Sequence, residues 1–232
     1  MRLGFYFIII TFLLIDQPAM AQVEVESVAS NWISYSQIKL ETKRLRDEDR
    51  FQGDLYSDKD WKHAVFALSS KDSVVIDSVK FNLLRGRVEI FVDGQHLEID
   101  NQHFEAFSFL DDMNSTYKYR HYYYHDGNRL PGIIKILKAG EYNVIVAYDP
   151  ELRQISKENP FMVSEMKKDR VRVVRMRYIE KDGELVRIKT KKDFEGFFKS
   201  KKGSKKYIKK NKLNHKKEYD IAEALHYYQE VE

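Results

Sequence analysis

The sequence predicts a mostly β protein, an antiparallel meander, sandwich or curled open sheet, followed by a small C-terminal α-helical module. Three observations carry this expectation. Short segments rich in β-branched and aromatic residues recur between turn residues from Phe51 to Ile188, the spacing of an antiparallel fold without βαβ alternation. Within Val74 to Ile99, VVIDSVKFNLLRGRVEIFVDGQHLEI, side chains of unlike character alternate along three consecutive strands, so that one face is apolar and must be covered. From Lys189 onward the apolar spacing becomes helical, through Phe194, Phe197 and Phe198.

Residues 1–21 have the form of a signal peptide. Arg2 gives a positive start, Phe5 to Ile15 is uncharged and apolar, and Asp16-Gln17-Pro18 precedes the small-residue site Ala19-Met20-Ala21. The run is shorter than the roughly 20 residues that a membrane span requires, and no second one follows. Cleavage before Gln22 is expected, giving an exported chain in the periplasm or cell envelope with no transmembrane span. Residues 22–50 form a lead-in or edge strand, with Val23, Val25 and Val28 ahead of a charged stretch whose only apolar stripe is Ile38, Leu40 and Leu45.

The antiparallel β domain spans residues 51–188. Its expected parts begin with a short strand around Leu55, a strand from His63 to Leu68 and a polar turn at Ser69 to Asp72. The meander follows, turning at Arg85-Gly86-Arg87 and at Asp93-Gly94, a dipeptide suited to the positive φ of a two-residue hairpin. Strands over Phe104 to Leu110, Tyr117 to Tyr124, Ile133 to Leu137 and Tyr142 to Tyr148 end at Asp, Asn, Gly or Pro clusters. Asp149 to Asp169 reads as irregular. Arg170 to Ile188 closes the domain as a hairpin through Asp182-Gly183, with a bulge expected at Val173-Val174.

Residues 189–232 make the basic helical module. Thr190 and Asp193 have capping-box spacing, Ser204 is placed to cap a second helix, and Asn214 to cap a third from His215 to about Glu230. Ile221, Ala222, Leu225 and Tyr228 fall on one face of the third. Thirteen Lys lie between Lys189 and Lys217 against Asp193 and Glu195, which sets this segment apart from the net acidic remainder of the chain after the leader.

Composition excludes several classes of function. There is no Cys, which removes disulfides, thiolate metal sites, a cysteine nucleophile and a lipoprotein anchor. The 15 Tyr and 14 Phe suit a sheet interior or a binding face. No G-x-S-x-G, H-E-x-x-H, P-loop or dinucleotide fingerprint occurs in the sequence. Paired carboxylates need no sequence proximity, so an enzyme is not excluded, although no Asp or Glu pair stands out. No cofactor is expected, and export argues against nucleic acid as a partner.

The segments KFNLLRGRVEIFVDG, YIEKDGELVRIKTKKDF and KKYIKKNKLNHKKEYDIAEALHYY stand in an order that resembles a group of uncharacterised exported β-rich proteins of Bacteroidetes-type bacteria with a Lys-rich helical C-terminal module. The resemblance covers Phe51 to Tyr228. It implies an envelope location and the β-plus-helix layout, and it brings no catalytic residue.

Two surfaces are candidates for binding. In YKYRHYYYHDG the aromatic and imidazole side chains of Tyr117, Tyr119, His121, Tyr123 and His125 share a strand face, suited to stacking against a sugar or peptide. His121 and His125 would stand about 13 Å apart on a strand, too far to bind one metal ion. Lys201, Lys202, Lys205, Lys206, Lys209 and Lys210 offer a cationic helix surface for an anionic lipid or other envelope partner. Asp111-Asp112-Met113-Asn114 lacks the acidic ladder of a calcium loop and reads as a solvated turn, and His96 and His103 read as surface residues. The functional expectation is a non-catalytic binding or scaffolding protein of the envelope, its partner an envelope protein, a glycan or an anionic lipid surface. A hydrolase of an envelope polymer and a carrier of an apolar ligand in a curled sheet are the alternatives.

Overall fold

The computed structural model describes residues 51–68, 72–92, 94–99, 101, 104–119, 124–125, 128–129, 132–153 and 169–230. The expected signal peptide, the lead-in and the turn around Ser69 lie outside these residues, as do Asp93, His103 and most of the segment between Asp149 and Asp169. The fold is mostly β with a C-terminal helical segment. Its strands are β1 (Phe51–Gly53), β2 (Lys62–Ala67), β3 (Ser73–Asn82), β4 (Arg87–Val92), β5 (Gln95–Ile99), β6 (Ala106–Phe109), β7 (Ser115–Tyr119), β8 (Tyr124–His125), β9 (Asn128–Arg129), β10 (Ile133–Ala139), β11 (Tyr142–Arg153), β12 (Asp169–Lys181) and β13 (Glu184–Arg187). The helices are α1 (Lys191–Phe197), α2 (Ser204–Lys210) and α3 (Glu218–Glu230).

One open sheet runs in the order β1-β12-β11-β10-β7-β6-β2-β3-β4-β5, with β13 also paired to β12 and the short β8-β9 hairpin apart. It is mixed, because β1 pairs parallel to β12 while the other pairs are antiparallel. The sheet curls strongly. Phe81 of β3 and Tyr148 of β11 touch at 5.8 Å between ring centroids although four strands separate theirs in the sheet order. The segment after β1 helps to hold the curl: Asp54 N donates to Val171 O, while Ser57 N donates to Phe81 O and Leu83 N to Leu55 O. Leu55 is buried here but belongs to no strand; the expected strand lies just before it, at Phe51–Gly53.

The inner face holds two cores in series. Along β10, Ile133 lies in the first core and Leu137 and Ala139 in the second; along β12, Val171 and Val173 lie in the first and Ile179 in the second. Stacked and edge-on rings of Phe66, Phe81, Phe107 and Tyr117 fill the first. The second is completed by Phe194, Phe198, Ile208, Ile221, Ala222 and Leu225 of the helical segment, so short helices that are marginal alone are held by the sheet. On the opposite face Ile134, Ile136, Ile145, Ala147 and Tyr178 form a third, smaller cluster.

Several elements differ from their sequence reading. β11 continues past Pro150 to Arg153, because Pro150 faces Val173 at a position whose N–H is directed away from β12. The β11-β12 register is continuous with no bulge at Val173-Val174; the irregularity in the sheet lies between Lys62 and Ala64 of β2. The Asp182-Gly183 hairpin forms with positive φ at both residues, and the Thr190/Asp193 capping box closes in both directions. Ser204 is not a cap: Gly203, at φ 95°, takes that position, and the Ser204 hydroxyl is buried without a partner. Asn214 Oδ1 accepts from Lys216 N in a tight turn, which delays the third helix to Glu218.

Candidate functional site

Alternation along β3, β4 and β5 sends Val79, Val88, Ile90 and Leu97 inward and Lys80, Glu89, Phe91, His96 and Glu98 to the other face. The register sets Glu89 between Lys80 and Glu98, and Phe91 opposite His96. Over this patch the segment before β2 lays Trp61. Its ring stands 6.0 Å from Phe91 and 5.3 Å, edge-on, from His96, and Lys80 Nζ sits 5.0 Å from both the Trp61 and Tyr56 rings. Trp61 remains 38% exposed and Phe91 42% exposed, a costly display for two large apolar rings.

Beneath the rings lies a buried carboxylate. Glu89 is 0% exposed and accepts from Asn82 Nδ2 at 2.6 Å, Tyr56 Oη at 3.0 Å and His96 Nε2 at 2.7 Å. A carboxylate in this role offers only acceptors, so Nε2 carries the proton that it takes and Nδ1 is left for another partner. Asn82 is fixed in turn by accepting from Arg85 N, and buried Glu98 pairs with Arg85 and Arg87. The imidazole and the two exposed rings are therefore set on a rigid polar layer.

A second polar group lies on the inner face, at the seam between the two cores. Lys135, between Ile133 and Leu137 on β10, is 8% exposed and meets Asp112 Oδ2 at 3.1 Å, Glu218 Oε1 at 3.4 Å and Tyr219 Oη at 3.4 Å. Burial alone would lower its pKa, but Glu218 and Asp112 outweigh that and raise it. Burial likewise opposes ionisation of Asp112, yet hydrogen bonds from Tyr219 and Lys135 hold it below the usual carboxylate range. Tyr148, hydrogen-bonded to Tyr117, is pushed by burial up to about 12. Arg177 completes the seam with its pKa lowered by desolvation and its Nε buried without a partner. This cluster fixes the start of α3 to the sheet.

The aromatic stripe read from Tyr117 onward is not assembled as a stacking surface at Tyr117, whose ring is buried and stacked at 4.8 Å on Phe107. His121 and Tyr123 lie outside the described residues, and Tyr119 and His125 fall on β7 and β8. Of the lysine set, Lys201 caps α3, donating to Tyr228 O at 2.7 Å with its ammonium over the Tyr228 ring, and Lys205 pairs with Glu195. Lys202, Lys206, Lys209 and Lys210 are exposed. Asp111 and Asp112 are not a merely solvated turn: they pair with Lys62 and Lys135. His96 is not the free surface residue expected but is half-buried and paired with Glu89. The signal for the platform was present, since Phe91 is the one aromatic residue on the otherwise polar side of β4, but nothing in the sequence brought Trp61 to it.

No protein-family model, curated protein or solved structure matches this chain. Among the described residues no group of three or more His, Asp or Glu is placed to hold a metal ion, and no helix there is long and apolar enough to cross a membrane.

Proposed function

We propose that this protein is an exported, non-catalytic binding component of the cell envelope and that it takes a glycan on the Trp61, Phe91 and His96 platform. The observation that carries the reading is the pairing of two exposed aromatic rings with an imidazole fixed by a buried carboxylate. Sugar rings present C–H faces that stack on such rings, while their hydroxyls need donors and acceptors at the rim. Lys80 and the free nitrogen of His96 supply both. The export part rests on residues 1–21 and predicts a mature N-terminus at Gln22. Against an apolar-ligand carrier stands the interior itself, packed with Phe66, Phe81, Phe107 and Tyr117 rings.

The test is titration of the purified protein with a panel of soluble oligosaccharides, including peptidoglycan fragments, followed by calorimetry. Trp61→Ala and Phe91→Ala are each expected to weaken binding at least tenfold, equivalent to about 1.4 kcal/mol, with the melting temperature little changed because both rings are largely outside the core. Binding that survives both substitutions would remove the platform from the reading. Turnover of a bound oligosaccharide would replace it with the hydrolase alternative.

A further inference from the structure

β12 is paired along one side by β11 from Arg170 to Glu180, but its other side is shared by two short strands. β1 covers Asp169 to Val171 and β13 covers Tyr178 to Lys181. Val171 O accepts from Asp54 N and Arg177 O from Ile188 N. By alternation, the N–H and C=O of Val173 and Arg175 are directed to the same side. Arg177 Nη1 takes the Arg175 carbonyl at 3.1 Å, and no described residue pairs with the rest. The interval from Val171 to Arg177 is about 20 Å long at the usual strand rise, room for one extended segment of about five residues.

This gap opens into a cleft of about 540 Å³ that continues past Arg187 and Lys189 to His215 and Lys216. Six cations line it, Arg172, Arg175, Arg177, Arg187, Lys189 and Lys216, against the single carboxylate of Asp54. None of the six makes an ion pair with a described residue; Glu218 acts on Arg177 only at longer range. Charged residues on a free edge commonly guard against unwanted pairing. Here the edge is interrupted, closed at both ends by paired strands, and its charge is of one sign on both faces: Arg172 on one, Arg175 and Arg177 on the other.

We infer that the open interval of β12 is a β-augmentation site for an acidic extended peptide segment of a partner protein. The segment adds a short strand between β1 and β13, its backbone bonding to Val173 and Arg175 and its carboxylates meeting the flanking guanidinium groups, whose planar donors suit them. The inference does not depend on the glycan platform, although Arg175 and Lys80 line a common pocket.

The test uses the full chain and a fluorescently labelled heptapeptide of alternating Glu and Val, read by anisotropy. Binding is expected, with Arg175→Glu weakening it at least tenfold and with new hydrogen-exchange protection at the Val173 and Arg175 amides. A peptide N-methylated at alternate positions, which keeps its charge but cannot pair, is expected to bind at least tenfold more weakly; this arm needs no altered protein. Equal binding of the N-methylated peptide, displacement by heparin without amide protection, or no binding at all would each overturn the inference, the second in favour of a general polyanion surface.

Discussion

Lys135→Met would replace the cation at the seam by an apolar side chain of similar length, so the change is one of charge more than of volume. Asp112 and Glu218 would then face each other across the junction of β10 and α3, each with about a fifth of its side chain still exposed. Removing one partner of a buried pair costs about 3 to 5 kcal/mol. The residual exposure of both carboxylates puts the expected loss at the lower end, about 3 kcal/mol at pH 7. For a domain of this size that is a fall in melting temperature of roughly 6 to 12 °C, and a lower urea midpoint with an unchanged slope. pH provides the discriminating assay. In the native protein Asp112 titrates below its ordinary value, so its contribution is present above about pH 3.8 and lost as pH falls through the folded value. Without Lys135 the desolvation of Asp112 is no longer offset by its cation, so its folded pKa moves upward and the stabilisation that its ionised form supplies at neutral pH is reduced. The gap between native and variant should therefore hold near neutral pH and narrow as pH falls into the range where Asp112 protonates. A gap below about 1 kcal/mol at pH 7, or one that does not change with pH, would refute the assignment of the seam as an electrostatic joint.

Other substitutions probe other joints. Gly53→Ala sets a Cβ 2.1 Å from Val171 O at a φ of 115°, so β1 should detach from β12 at a cost of about 2 kcal/mol or more, seen as loss of hydrogen-exchange protection at Asp54. Ser204→Ala removes a buried hydroxyl that has no partner, and chemical denaturation should show unchanged or higher stability, up to about 1 kcal/mol. In alkali the sign follows from Tyr148, whose pKa is raised by burial to about 12. Its neutral form is held in the folded state while the unfolded chain ionises near pH 10, so stability is full below pH 10 and is lost as pH rises toward 12. Tyr148→Phe should flatten that part of the curve.

The layout of strands and helices was readable because the residues that form them obey local rules. Val88 and Ile90 alternate with Glu89 and Phe91, Asp182-Gly183 can adopt the two positive φ values of a tight hairpin, and Thr190 with Asp193 closes a cap within four residues. What was not readable depends on residues distant in sequence. Pro150 looked like the end of a strand, yet the register against Val173 gives it a position that asks for no N–H. The tyrosines after Tyr117 looked like a display, yet stacking on Phe107 turns the first of them into core. Glu89 and His96 are seven apart and sit diagonally on adjacent strands, since the register sets Glu98 opposite Glu89 and Phe91 opposite His96. Trp61 reaches them from the far side of β3, and Lys135 became a joint only because α3, 83 residues later, supplies Glu218.

That long reach has a consequence for synthesis. The side chain of Gln229 bonds Ala139 O and Glu141 N, so the lid over the β10-β11 hairpin arrives about 90 residues after the hairpin itself. At translation rates of roughly 5 to 20 residues per second, Leu137, Ala139 and Val144 emerge roughly 4 to 18 seconds before α3 exists to cover them. Until α3 is made these apolar side chains lack the cover they have in the finished fold, so aggregation during production should rise when synthesis of the last residues is slowed.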